Sequence, residues 1–269
     1  MKRYSLIRMF VCMAFVTAST TAFTQATRTW VSGVGDDVNP ASRTAPCKTF
    51  AGAISKTAAG GEINVLDPGG YGAVTITKSI TIDGGGTIAS ILSSSTNGVI
   101  VNAGPEAIVV LRHLNINGAG TGINGIRILS AKKVIIEDCT LSNFTQKGVE
   151  VNTTEPCTVM LSNVTVHNAA DAIGINNETS TVIIDHCIFQ TISNAGVNLM
   201  NGKVTVSNSN ISDCGTGIMG GARSTAWLSG NVISNNDTGL QSSGSIASAG
   251  NNLVVGNRVQ GSASSLKLQ

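Results

Sequence analysis

This chain has few aromatic and charged residues, 4% and 12% of its 269 residues, and only five prolines. So few rings leave little material for a stacking platform, and the candidates outside the first 26 residues are Trp30, Phe50, Tyr71, Phe144, Phe189 and Trp227. There is no basic block, which argues against nucleic-acid binding. No Cys-x-x-Cys or His-x-x-x-His spacing occurs, so no metal site is indicated. The cysteines are scattered, and five, an odd number, remain beyond residue 26: Cys47, Cys139, Cys157, Cys187 and Cys214. That is no disulfide framework. Helical periodicity is also scarce, while Asn, Ser, Thr and Gly are abundant, which excludes repeats built on a helix per unit.

What is present is a repeat. With Val109, Val134, Val159, Val182, Val204, Ala226 and Ala247 as starting points, the chain divides into seven units roughly 21 to 25 residues apart. Each unit opens with a β-rich run, as in Val134-Ile135-Ile136. A second run is in register at Ile116, Leu141, Val166, Phe189, Ile211, Ile233 and Val254. A third begins with a small and an apolar residue, as in Gly125-Ile126 and Gly148-Val149. Three short strands per unit describe one turn of a parallel β-solenoid. The expected architecture is an all-β helix of about nine turns over residues 62–257. Its core takes the inward columns, including Val134, Ile136, Leu141, Val159, Leu161, Val166, Val182, Ile184 and Phe189.

Four residues after each start stand His113, Asp138, Asn163, His186, Asn208, Gly230 and Asn251, all types that tolerate the left-handed αL region. This column is read as the corner between the first and second strands. Cys139 and Cys187 share a column two units apart, about 10 Å at strand spacing. A disulfide needs Cα atoms within about 7 Å, so both are expected free and buried.

The start of the chain differs. Lys2, Arg3 and Arg8, an apolar centre from Met9 to Ala18, and the small residues around Thr24-Gln25-Ala26 form the pattern of a secretory signal over residues 1–26. The apolar run falls short of the roughly 18 residues that a membrane span needs. Removal of residues 1–26 takes the net charge from +2 to about −1. The remaining chain is expected to be secreted, periplasmic or at the cell surface, and not embedded in a membrane. Residues 27–61 form an N-terminal cap, in which Phe50, Ile54 and Ala58 mark an amphipathic helix ended by Gly60-Gly61. Residues 258–269 are a tail.

Trp30-Val31-Ser32, Pro46-Cys47-Lys48-Thr49-Phe50, Gly61-Glu62-Ile63-Asn64-Val65 and Ile76-Thr77-Lys78-Ser79-Ile80-Thr81-Ile82 resemble the opening of secreted right-handed parallel β-helix proteins of the pectin-lyase-like superfamily. The resemblance implies a right-handed solenoid and a polysaccharide partner. It does not fix an activity, because lyases, hydrolases, epimerases and proteins without a known reaction share the fold.

The candidates for chemistry are Asp185, His186 and Glu137. Ile183-Ile184-Asp185-His186-Cys187 resembles the Trp-Ile-Asp-His-Cys motif of pectate lyases, with Ile183 in place of Trp. The repeat alone yields the same pattern, and no arginine-rich motif accompanies it to supply a base. Glu137 and Asp185 fall in one outward row with Ser162 between them, about 10 Å apart. That is beyond the roughly 5 Å between two ligands of one Ca²⁺. It lies at the edge of the approximately 6.5 to 9.5 Å of an inverting hydrolase. The catalytic residues therefore stay unassigned. No cofactor is indicated, and Ca²⁺ enters only with a lyase-like reaction. Arg112 beside Glu137, and Arg127 beside Glu150, read as cross-strand ion pairs. His167 reads as a solvated surface residue.

A second reading comes from Val110, Ile135, Met160 and Ile183, consecutive outward residues of the first strand. Such an apolar ladder is covered either by the loop after Gly84, by the tail from Arg258, or by a partner. The two functional readings are thus a protein that binds or modifies extracellular polysaccharide, and a non-catalytic surface or adhesive solenoid that takes a second copy or another protein on this ladder.

Overall fold

The computed structural model describes residues 25–266, so the expected signal segment lies almost wholly outside the described residues. The chain winds into a parallel β-solenoid of about eight turns, one fewer than the sequence suggested. The last unit is incomplete, because after Leu253–Val255 the third strand is reduced to a single Thr238–Val259 bridge.

Every pairing between strands is parallel, and three inward columns run the length of the coil. On the first face Val109, Val134, Val159, Val182, Val204, Ala226 and Ile246 are register partners. On the second face Ile116, Leu141, Val166, Phe189, Ile211, Ile233 and Val254 follow one another. On the third face the column is Ile126, Val149, Ile173, Val197, Ile218 and Leu240. All but Val254 are buried, and they merge into one core. The β-branched residues suit it because their stiff side chains stack between flat rungs. The last unit starts at Ile246, not Ala247, which faces outward opposite Trp227.

The first corner is an αL column as expected: His113, Asp138, Asn163, His186 and Asn208 have φ of 56°, 51°, 53°, 52° and 48°. In the last unit Gly250 takes the positive φ of 86°, and Asn251 does not, following the shifted start. The corner from second to third strand is a second αL column, through Asn143, Asn168, Thr191, Asp213 and Asn235 at φ of 54° to 63°. Thr191 is β-branched and pays most for this conformation, and its hydroxyl is held by Asp213 Oδ2 at 3.0 Å. The third strand then passes so close to the second that Gly148 has no room for a side chain. A Cβ there lies 2.4 Å from Val166 Cγ1 and 2.7 Å from the Ala172 carbonyl oxygen.

The N-terminal helix α1 spans only Phe50–Ile54, capped by the Thr49 side chain, which accepts from Gly52 N. The expected stripe to Ala58 is cut short because Thr57–Val65 is a strand paired with Ala26–Val31. Thr57 Oγ1 and Thr29 Oγ1 meet at 2.8 Å in the core, so rung pairing overrides local helix preference. Phe50 and Ala53 are nevertheless buried over the first turns, with the Phe50 and Tyr71 rings 5.2 Å apart.

Candidate functional site

The outward side chains of the third strand form a polar cluster. Arg127 and Glu150 are register partners, and Asn124, Lys147 and Asp171 form the adjoining row. Arg127 Nε stands 2.7 Å from Glu150 Oε2, and Lys147 Nζ stands 3.3 Å from Glu150 Oε1. The expected Arg127–Glu150 pair is therefore present as an ion pair, although Arg127 Nε makes no hydrogen bond. Asn124 is buried and ties the rows together: its Oδ1 accepts from Lys147 N at 3.1 Å and its amide donates to Asn97 Oδ1 at 3.0 Å.

Asp171 is only 5% exposed, and its two oxygens accept from Asn194 Nδ2 at 2.6 Å and Asn198 Nδ2 at 3.0 Å. The Lys147 stem crosses Gly174, where a Cβ would lie 2.6 Å from its Cδ and Cε. Glycine at that rung lets the lysine lie flat across the face beside the two carboxylates. The cluster holds two cations and two carboxylates, so its charge is balanced. Beside it, along the second corner, runs an open groove of about 660 Å³ lined by Ser193, Asp213, Asn235, Asp237 and Arg258 among others.

The residues picked from the sequence lie elsewhere. Glu137, Ser162 and Asp185 form one outward row of the first face, as read. No hydrogen bond joins Glu137 to Asp185, and the row places them two strands apart. Asp185 Oδ1 accepts from Ser207 Oγ at 2.6 Å and Asn208 Nδ2 at 3.0 Å, while His186 Nδ1 stands 2.7 Å from Oδ2. The Ser207 hydroxyl foremost, then His186, holds the Asp185 carboxyl below its ordinary pKa. Both residues thus have a structural task at the corner. Arg112 is in register with Glu137 but turns away from it, to Asp83 at 2.9 Å and Glu62 at 3.9 Å, so the expected Arg112–Glu137 pair does not form. His167 is a partly exposed neighbour of Ser142 and Gln190, with no catalytic partner among the described residues.

The lyase reading brought Ca²⁺ with it. Glu150 is occupied by two cations and Asp171 by two amides, and among the described residues no group of three or more His, Cys, Asp or Glu forms a ligand set. The residues present do not fit that ion. The five described cysteines are free and buried, and burial pushes the Cys139 and Cys214 thiols up to about 12. Cys139 and Cys214 are packing residues.

The sequence matches the family described as "Right handed beta helix region" over residues 57–204 and 148–266. The chain belongs to this family. The structure is similar to that of pectate lyase Pel9A, with a TM-score of 0.68 at 17% identity, covering 82% of this chain and 67% of that one. A rhamnogalacturonan lyase matches at a TM-score of 0.39 and 10% identity, covering 82% of this chain and 75% of that one. At these identities the first likeness speaks for the fold alone, and the second carries no argument. The handedness expected from the sequence is thereby established, and the site has to be argued from its own residues.

Proposed function

We propose that the protein is exported and binds an acidic extracellular polysaccharide along its third face. The observation that carries this reading is the set of half-buried Arg127, Lys147 and Glu150 with the buried Asp171, held in place by the amides of Asn124, Asn194 and Asn198. A carboxyl group as buried as that of Asp171 is costly for a surface that only has to be soluble. Cross-strand ion pairs at solvated positions contribute only about 0.2 to 1 kcal/mol, so stability is a poor reason for the set. Sugar hydroxyls need fixed donors and acceptors side by side, and charged and amide groups on rigid strands provide them. The terminal nitrogens of Arg127 have no partner among the described residues and suit a uronate carboxylate. Rungs repeat at about 4.8 Å, so an extended chain laid along the coil meets polar groups at regular intervals.

The test is a binding panel of uronate and neutral oligosaccharides, with and without Ca²⁺, with unsaturated products and new reducing ends followed in the same samples. Uronate binding that falls about tenfold or more in Arg127→Ala and Asp171→Asn, with unchanged melting, is the expected result. Absence of binding to every glycan, or binding indifferent to both substitutions, overturns it. Turnover would add bond cleavage to binding and return Asp185, His186 and Glu137 for substitution.

A further inference from the structure

The first face carries three outward rows, separated by about 7 Å along each strand. The middle row is apolar through Val110, Ile135, Met160 and Ile183, each half-buried and register-paired to the next. Among the described residues neither segment expected to cover it does so. The tail instead adds a rung of the same sheet, Ser264–Ser265 pairing with Ala247–Ser248. The residues after Gly84 form the corner between Ile80–Asp83 and Ala89–Leu92.

The flanking rows differ in sign. On one side stand Lys133 and Lys203, separated by Thr158 and Thr181 and preceded by Ile108, and on the other Glu137 and Asp185, separated by Ser162 and preceded by Arg112, which Asp83 and Glu62 hold. Among the described residues Lys133, Lys203 and Glu137 have no ion-pair partner, whereas nearby Arg112, Lys132 and Arg127 all do. An apolar stripe with an unpaired basic margin and an acidic one is complementary to itself.

We infer that this face binds a second copy of the chain, with the two solenoid axes parallel and the two-fold axis running along them. Such a rotation keeps each rung opposite its own counterpart and exchanges the margins. Lys133 then faces Glu137 of the other copy on the same rung, and Lys203 lies one rung from its Asp185. Ile135 and Met160 stack on their own equivalents. The antiparallel alternative sets lysines against lysines and carboxylates against carboxylates, which costs several kcal/mol. Seven rungs of three rows cover approximately 700 Å² per copy, about 1,400 Å² in all, within the range of stable isologous dimers. The third face stays open, so this association stands independently of glycan binding.

The experiment is sedimentation velocity of the purified chain over a concentration series, with far-ultraviolet circular dichroism and melting to verify the fold of each variant. The expected species is a dimer. Lys133→Glu and Glu137→Lys singly should each weaken it by about tenfold or more. The double variant Lys133→Glu/Glu137→Lys should restore it, because the reversed charges face each other again. Ile135→Asp with Met160→Asp should give monomer. A chain that is monomeric throughout, a dimer indifferent to these changes, or a double swap as weak as its parents overturns the inference.

Discussion

Replacing Asn163 separates backbone from side-chain contributions to the corner. Its φ of 53° lies in the αL region, and its amide donates to Asp138 Oδ1 at 2.5 Å. Valine loses both advantages. A β-branched residue costs about 1 to 2 kcal/mol in this conformation, and the exposed, charge-assisted hydrogen bond adds about 0.5 to 1 kcal/mol. Asn163→Val should therefore destabilise by roughly 1.5 to 3 kcal/mol. Asn163→Gly keeps the bend and loses the hydrogen bond, and its freer unfolded chain costs a few tenths more, about 1 kcal/mol together. The assay is urea unfolding followed by circular dichroism, read as the shift of the midpoint at constant slope. Equal losses for Val and Gly would refute the reasoning, because the corner would then be held by the amide and not by backbone conformation.

Three other outcomes follow from the same structure. Gly148→Ala should cost about 1 to 3 kcal/mol, measured by thermal unfolding, because the added Cβ meets Val166 and the Ala172 carbonyl. Cys139, Cys157, Cys187 and Cys214 should resist alkylation at neutral pH until the chain is unfolded, as peptide mapping would show, because burial raises these thiols to about 11 or 12. Asp67 is depressed, first by the Ser32 hydroxyl and then by Gly33 N, so its contribution is complete above its unfolded pKa of about 3.9 and lost as pH falls through the lower folded value. Asp67→Asn should lower the melting temperature at neutral pH and flatten the acid limb of stability against pH.

The solenoid was legible because a fixed period repeats the same three demands, an apolar pair facing in, an αL-tolerant corner and a small residue at the third strand. The second corner carries the same kind of signal, since nine residues after their unit starts stand Asn143, Asn168, Asp213 and Asn235, all αL-tolerant types, and it escaped only because Thr191, a residue poorly suited to that conformation, interrupts the column. A uniform offset also misplaced the last start, where one extra residue in the final corner moves Ile246 inward. The third-face cluster escaped for a similar reason. Turns of unequal length put Asn124, Lys147 and Asp171 at different distances from their unit starts, so no column showed them together. Extending the Arg127–Glu150 alignment back along the strand would have found them. The lysine lying across Gly174 is visible only in three dimensions.

The most direct test of glycan binding at the third face is an NMR titration of the isotope-labelled chain with a uronate oligosaccharide, reading the side-chain amides of Asn124, Asn194 and Asn198. The account predicts saturable shifts in these resonances and none at Ile135 or Met160 on the first face. Shifts confined to the first face, or no shifts with any uronate, would contradict it.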